Sequence, residues 1–221
     1  MQNQTKKSKN NFCHFYIVRH GETEWNRAGI LQGQLDSPLT EAGIRQAITR
    51  SGTFKKIQFA DAFSSDLFRA QKTAEVIVAE RNIAVKTTRL LRERSFGAYD
   101  GKEIKIFLEE LSDLLEAYEA LTEDKQFSHR IRHDIESDDD IASRMLTFIR
   151  ETAVAYPEKN VLVVAHGGII RATLVKLGFA SSRELPPQSI ENLGYAVVDS
   201  DGVDFFVKKT QGINKKINFS S

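Results

Sequence analysis

Val161-Leu162-Val163-Val164-Ala165 constrains this chain more than any other stretch. Successive strand residues point to opposite faces, yet all five are apolar, so both faces need cover. Such runs lie in the middle of parallel sheets clothed by helices on each side. A shorter run, Phe15-Tyr16-Ile17-Val18, is also rich in strand formers. Helical segments alternate with the strands. Pro38-Leu39-Thr40 opens one, with Thr40 as N-cap. Ala60–Phe63 reads as a strand, and Ser64-Ser65-Asp66 as the cap of a helix running to about Asn82. A short strand follows over 83–87. Ser137 and the acidic run Asp138-Asp139-Asp140 begin a helix with the stripe Ile141, Met145, Phe148, Ile149 and Thr152. Gly167-Gly168 leads into a helix over 169–177. Tyr195–Val198 and Val203–Val207 predict a hairpin around Asp201-Gly202. The fold class is α/β: a three-layer α/β/α sandwich with a mostly parallel central sheet.

One segment stands apart. Over 102–124, Ile104, Leu108, Leu111, Leu115 and Tyr118 recur at helical spacing and predict one long amphipathic helix. From Lys102 to Glu136 there are ten acidic and five basic residues, a net of −5. This reads as a helical covering segment, about 102–137, inserted into a single domain over 12–209. Residues 1–11 and 210–221 are polar and basic and read as tails, the first disordered and the second fraying from about Lys208.

The two strongest strands end alike. The first runs into Arg19-His20-Gly21 and the second into His166-Gly167-Gly168. Ligands of open α/β sheets bind outside the carboxyl ends of strands. Glycines let the backbone approach a ligand, and a helix start presents N–H groups to an anion. Arg69 lies in the first turns of the next helix, and a guanidinium fork matches phosphate oxygens. Two imidazoles and two guanidiniums point to phosphoryl transfer with histidine as nucleophile. Glu93, before a loop holding Gly97 and Gly101, is a candidate proton source.

Arg19-His20-Gly21-Glu22-Thr23-Glu24-Trp25-Asn26 resembles the signature of the histidine phosphatase superfamily, the phosphoglycerate-mutase-like proteins. Supporting motifs follow in the family's order. They are Leu31-Gln32-Gly33, then Asp36-Ser37-Pro38-Leu39-Thr40-Glu41-Ala42-Gly43, then Ser65-Asp66-Leu67-Phe68-Arg69-Ala70 before Thr73-Ala74. Glu93 before Phe96-Gly97 and Val164-Ala165-His166-Gly167-Gly168 complete the set. The resemblance spans roughly 14–200. It implies that His20 becomes phosphohistidine, while Arg19, Arg69, His166 and Asn26 surround the phosphoryl group. Glu93 is implied as general acid and then base. Thr23, Gln32, Gly33 and Gly167 are implied at the substrate end. No metal or other cofactor is implied, because the arginines neutralise the charge.

The family holds mutases and phosphatases. A mutase keeps a doubly phosphorylated intermediate and needs cations around the second anion. The covering segment is acidic and its basic residues are scattered. The expectation is therefore a phosphomonoesterase acting on a small phosphorylated metabolite and releasing inorganic phosphate. The alternatives are a phosphoglycerate-type mutase and a non-catalytic binding member of the family.

Other patterns carry less. Cys13 and Arg19 have the spacing of thiol-dependent phosphatases, but the residues between them form an apolar strand that cannot wrap a phosphate. His129 and His133 have the spacing of a helical zinc pair, without an evident third ligand. There is no Gly-x-Ser-x-Gly elbow. With 31 basic and 30 acidic residues, the chain is no general polyanion binder, so no nucleic acid partner is expected. No apolar run reaches membrane-spanning length, and the first residues lack a signal peptide's apolar core, so no membrane association is expected. A single cysteine excludes an internal disulfide and suits a cytoplasmic setting.

Overall fold

The computed structural model describes residues 11–216. The expected N-terminal tail, apart from Asn11, and residues 217–221 of the expected C-terminal tail lie outside that range. Among the described residues six strands form one sheet: β1 (Cys13–Arg19), β2 (Phe59–Ser65), β3 (Val85–Thr88), β4 (Asn160–Ala165), β5 (Ile190–Ser200) and β6 (Phe205–Ile213). Their order is β3-β2-β4-β1-β5-β6. The β3–β2, β2–β4 and β4–β1 pairs are parallel, and β5 and β6 add antiparallel strands at one side. The expected α/β sandwich is what forms.

β4 lies in the interior of the sheet, which accounts for its composition. Val161, Val163 and Ala165 pack with Phe15 and Ile17 against α7 (Asp138–Ala155) and α8 (Gly167–Lys176). Leu162 and Val164 pack with Val18 on the opposite face, against α2 (Glu41–Thr53) and α3 (Phe68–Val78). Thr40 caps α2 through the Gly43 amide, and Ser137 caps α7 in a reciprocal box with Asp140.

Four expectations are corrected. The single helix over 102–124 is broken into α4 (Ile104–Glu110) and α5 (Ser112–Glu119), and α6 (Glu123–Ser128) follows. Leu111 leaves helical geometry at φ −109°, ψ 16°. Phe107 and Leu111 turn inward with Tyr99 and Ile135 to form a separate small core, whereas Leu108 is exposed. The α3 cap is not Ser64-Ser65-Asp66; both serines belong to β2, and Asp36 takes the Phe68 and Arg69 amides from a distant loop. The C-terminal stretch does not fray from Lys208, because β6 continues to Ile213 on the β5 edge and Asn214 and Lys216 donate backbone bonds to Ser189 and Glu184. The His129/His133 spacing is not helical, since α6 stops at Ser128.

Candidate active site

β1 and β4 run side by side, so their ends deliver His20 and His166 to one place. The His20 amide bonds to Ala165, and the two rings stand edge to face with centroids 5.2 Å apart. His20 Nδ1 is 2.7 Å from the Gly21 carbonyl. A carbonyl only accepts, so Nδ1 carries the proton and Nε2 keeps its lone pair. Burial, then the Arg69 and Arg19 charges, hold His20 well below the ordinary histidine pKa. Burial and Arg69 do the same to His166. Both rings are neutral at pH 7.

The cradle under His20 depends on glycine at two contacts. A methyl on Gly21 would meet the Gly43 carbonyl at 2.7 Å, and one on Gly43 would meet the Glu22 carbonyl at 2.1 Å. The first turn of α2 therefore packs directly on the backbone after His20.

Arg69 is fully buried. Its guanidinium donates to the carbonyls of Gly33 (2.7 Å) and Leu35, and to Asp36 (3.0 Å). Arg19 donates to the Ile190 carbonyl. The Nε atoms of both arginines and both ring nitrogens of His166 are buried without a protein partner. Such groups cost about 1–3 kcal/mol each when left unmet, and they mark a place a ligand completes.

Arg92 and Arg94 do not pair with Glu93. Arg92 makes a two-bond pair with Asp66, and Arg94 bonds to Asp138. The Glu93 carboxylate instead accepts from the Gly168 amide (3.0 Å), the Ile169 amide (3.2 Å) and the Arg94 amide (2.8 Å). It sits on the N-terminus of α8, so two amides expected to face an anionic ligand are already engaged by the protein's own carboxylate.

Arg19, His20, Asn26, Gln32, Gly33, Arg69, Glu93 and Gly167 line one cavity of about 1450 Å³. His166 lies buried against His20, outside the lining. Thr23 is also outside the lining: it is fully buried, and its hydroxyl caps the short helix α1 (Glu24–Ala28) by accepting from the Asn26 amide. Asn26 completes that box and accepts from Asn192, which also donates to the His20 carbonyl. Asn192 was not legible in the sequence, since nothing in Glu191-Asn192-Leu193 marks it as reaching β1. Cys13 is buried in the sheet, and burial with the nearby Asp199 pushes its thiol up to about 12. It is no nucleophile.

The family profile described as histidine phosphatase superfamily (branch 1) matches residues 15–211. The chain belongs to the histidine phosphatase superfamily. Its relatives include a metal-independent phosphoserine phosphatase of Arabidopsis thaliana, 34% identical over 75% of this chain and 69% of that protein. Phosphoglycerate mutase-like protein 4 of the same plant is 36% identical over 73% of this chain and 69% of its own length. A mycobacterial glucosyl-3-phosphoglycerate phosphatase solved with VO3 superposes with a TM-score of 0.73 at 26% identity, covering 88% of this chain and 96% of that one. Within this superfamily of phosphatases and mutases of small phosphorylated metabolites, the motif residues Arg19, His20, Arg69, Glu93 and His166 converge on one end of the sheet.

Proposed function

We propose that the protein is a phosphoric monoester hydrolase working through a phosphohistidine on His20. The observation that carries this reading is a neutral imidazole with Nδ1 fixed by Gly21, sharing one cavity with two buried guanidiniums and a carboxylate. Nε2 attacks phosphorus while Arg19 and Arg69 hold the non-bridging oxygens and His166 donates to them. The bond from phosphorus to the leaving oxygen breaks, and Glu93 gives that oxygen its proton. That proton enters on the monoester monoanion, which passes it to Glu93 on binding. Glu93 then takes a proton from water, the water oxygen attacks phosphorus, and the N–P bond breaks. The sum is monoester plus water to alcohol plus inorganic phosphate. The two guanidiniums neutralise charge that a metal neutralises elsewhere, so a chelator should leave the rate unchanged.

Charge at the far end of the cavity supports hydrolysis over transfer. Arg94 and Arg171 both end on Asp138, and Arg183 on Glu123. In the cover, Lys105 pairs with Glu109, Arg130 with Asp140 and Arg132 with Asp134. Arg94 and Arg171 share one carboxylate and keep one net positive charge between them, whereas the other pairs match one to one, and matched cations grip a second phosphate poorly. The substrate is a cytoplasmic monoester whose leaving group bears no second phosphate.

His20→Ala should abolish phosphate release and the acid-labile phosphoenzyme seen on brief mixing with substrate. Retained phosphoenzyme means another nucleophile. Rapid interconversion of phosphoglycerates primed by bisphosphoglycerate, without phosphate release, would instead establish the mutase.

A further inference from the structure

The loop that carries Glu93 is bracketed by one ion pair outside the cavity. Arg144 lies on the second turn of α7. Its Nε and Nη2 each donate to Glu136 at 3.1 Å, in a two-bond fork. Its Nη1 donates to the carbonyls of Leu90 (3.1 Å) and Arg92 (3.0 Å), and Nη2 also reaches the Glu93 carbonyl at 3.4 Å. Glu136 binds the same loop from the other side: its carboxylate accepts from the Ser95 amide at 2.9 Å, and its own amide donates to the Ser95 carbonyl. Neither Arg144 nor Glu136 lines the cavity.

We propose that Arg144, fixed by Glu136, is a positioning residue that sets where the Glu93 carboxyl stands against the leaving oxygen. The inference rests on the acid role of Glu93 given above. The α8 amides and the Arg94 amide hold the Glu93 carboxyl at its tip and the fork holds the backbone it extends from, and a misplacement of about 1 Å costs on the order of a hundredfold in rate. Beyond the 3-10 turn Arg89–Leu91 the backbone over 92–95 is irregular, and the fork anchors it from behind while Arg92 and Arg94 hold it through Asp66 and Asp138. All five N–H groups of Arg144 have acceptors, a set that lysine's compact ammonium cannot reproduce. Arg144 is also near enough to the reacting groups for its charge to reach His166, adding to the larger effects of burial and Arg69.

The role is read from leaving-group dependence. p-Nitrophenolate departs without a proton, whereas the alkoxide of glycerol 3-phosphate needs one. kcat/KM reports formation of the phosphoenzyme and is measured on both substrates for wild type, Arg144→Lys, Glu136→Gln and the reference Glu93→Gln. Glu93→Gln should lose roughly 10²–10⁴-fold on glycerol 3-phosphate and far less on p-nitrophenyl phosphate. Arg144→Lys should lose about tenfold or more on glycerol 3-phosphate with at most about a twofold loss on p-nitrophenyl phosphate. Glu136→Gln keeps the side-chain shape, should show the same bias, and carries the test if Arg144→Lys does not fold. Equal losses on both substrates, or none, in the fork variants overturn the proposal. If Glu93→Gln shows no bias, Glu93 is not the acid and both readings fall; if only the fork variants lack it, the positioning role alone falls.

Discussion

His20 and His166 are neutral because of where they sit, and that has a signed effect on stability. Burial leads in both, with Arg69 next, and each ring is held well below the ordinary value of 6.5. The unfolded chain takes up protons near pH 6.5 that the folded chain refuses, so stability is full above that pH and is lost as pH falls. Each ring contributes a slope of up to about 1.4 kcal/mol per pH unit. His166→Asn should therefore lose stability less steeply than wild type between pH 7 and pH 5, read as urea midpoints at constant slope; parallel curves would contradict the buried neutral ring. At this scale the sequence was informative where a motif stands at the end of a strand or in the first turn of a helix. Arg19, His20, Arg69 and Glu93 converge as expected. Thr23 stands apart from them: a hydroxyl beside a helix start can serve a ligand or a cap, and here it caps α1. Asn192 and Arg144 act on backbone carbonyls 172 and 51–54 residues away, and no local pattern encodes such a partner.

α3 begins at Leu67 without a side-chain cap of its own, and Asp36 supplies one while pairing with Arg69. One carboxylate thus closes a helix end and steadies the Arg69 guanidinium in the cavity wall. Asp36→Ala should cost about 1 kcal/mol through the lost cap, which for a domain of this size is a fall in Tm of about 2–4 °C. Activity should fall with it as Arg69 loosens. Asp36→Asn keeps an acceptor and should restore part of the Tm; an unchanged Tm in Asp36→Ala would refute the capping role. Periodicity found α7, which packs one stripe on the sheet, whereas the Thr40 cap marked α2 and the glycine pair marked α8. It failed over 102–124, where the chain bends over the cavity and buries Phe107 and Leu111 rather than Leu108. It also missed most of β6: an edge strand with Lys208, Lys209 and Gln211 reads as a solvated tail, although polar residues suit an exposed sheet edge.

The fold class was legible because one strand, apolar on both faces, permits few layer arrangements; the strand order was not, because it depends on which distant segments pair. β1 lies between β4 and β5, and its register with β4 joins residues 14–19 to 160–165. A chain ending at Glu158 has β1 without either neighbour, and so should give no cooperative urea transition when followed by Trp25 fluorescence. A sigmoidal transition in that fragment would mean the N-terminal part folds alone. The same placement orders events during synthesis. At about 5–20 residues per second, the first strand waits on the order of ten seconds for its partners, with Phe15 and Ile17 uncovered. Until then His20 has no His166 beside it, and Glu93 has no helix end to rest on. A half-made chain on the ribosome is thus sticky and lacks an assembled site, which arrives only when synthesis is nearly done.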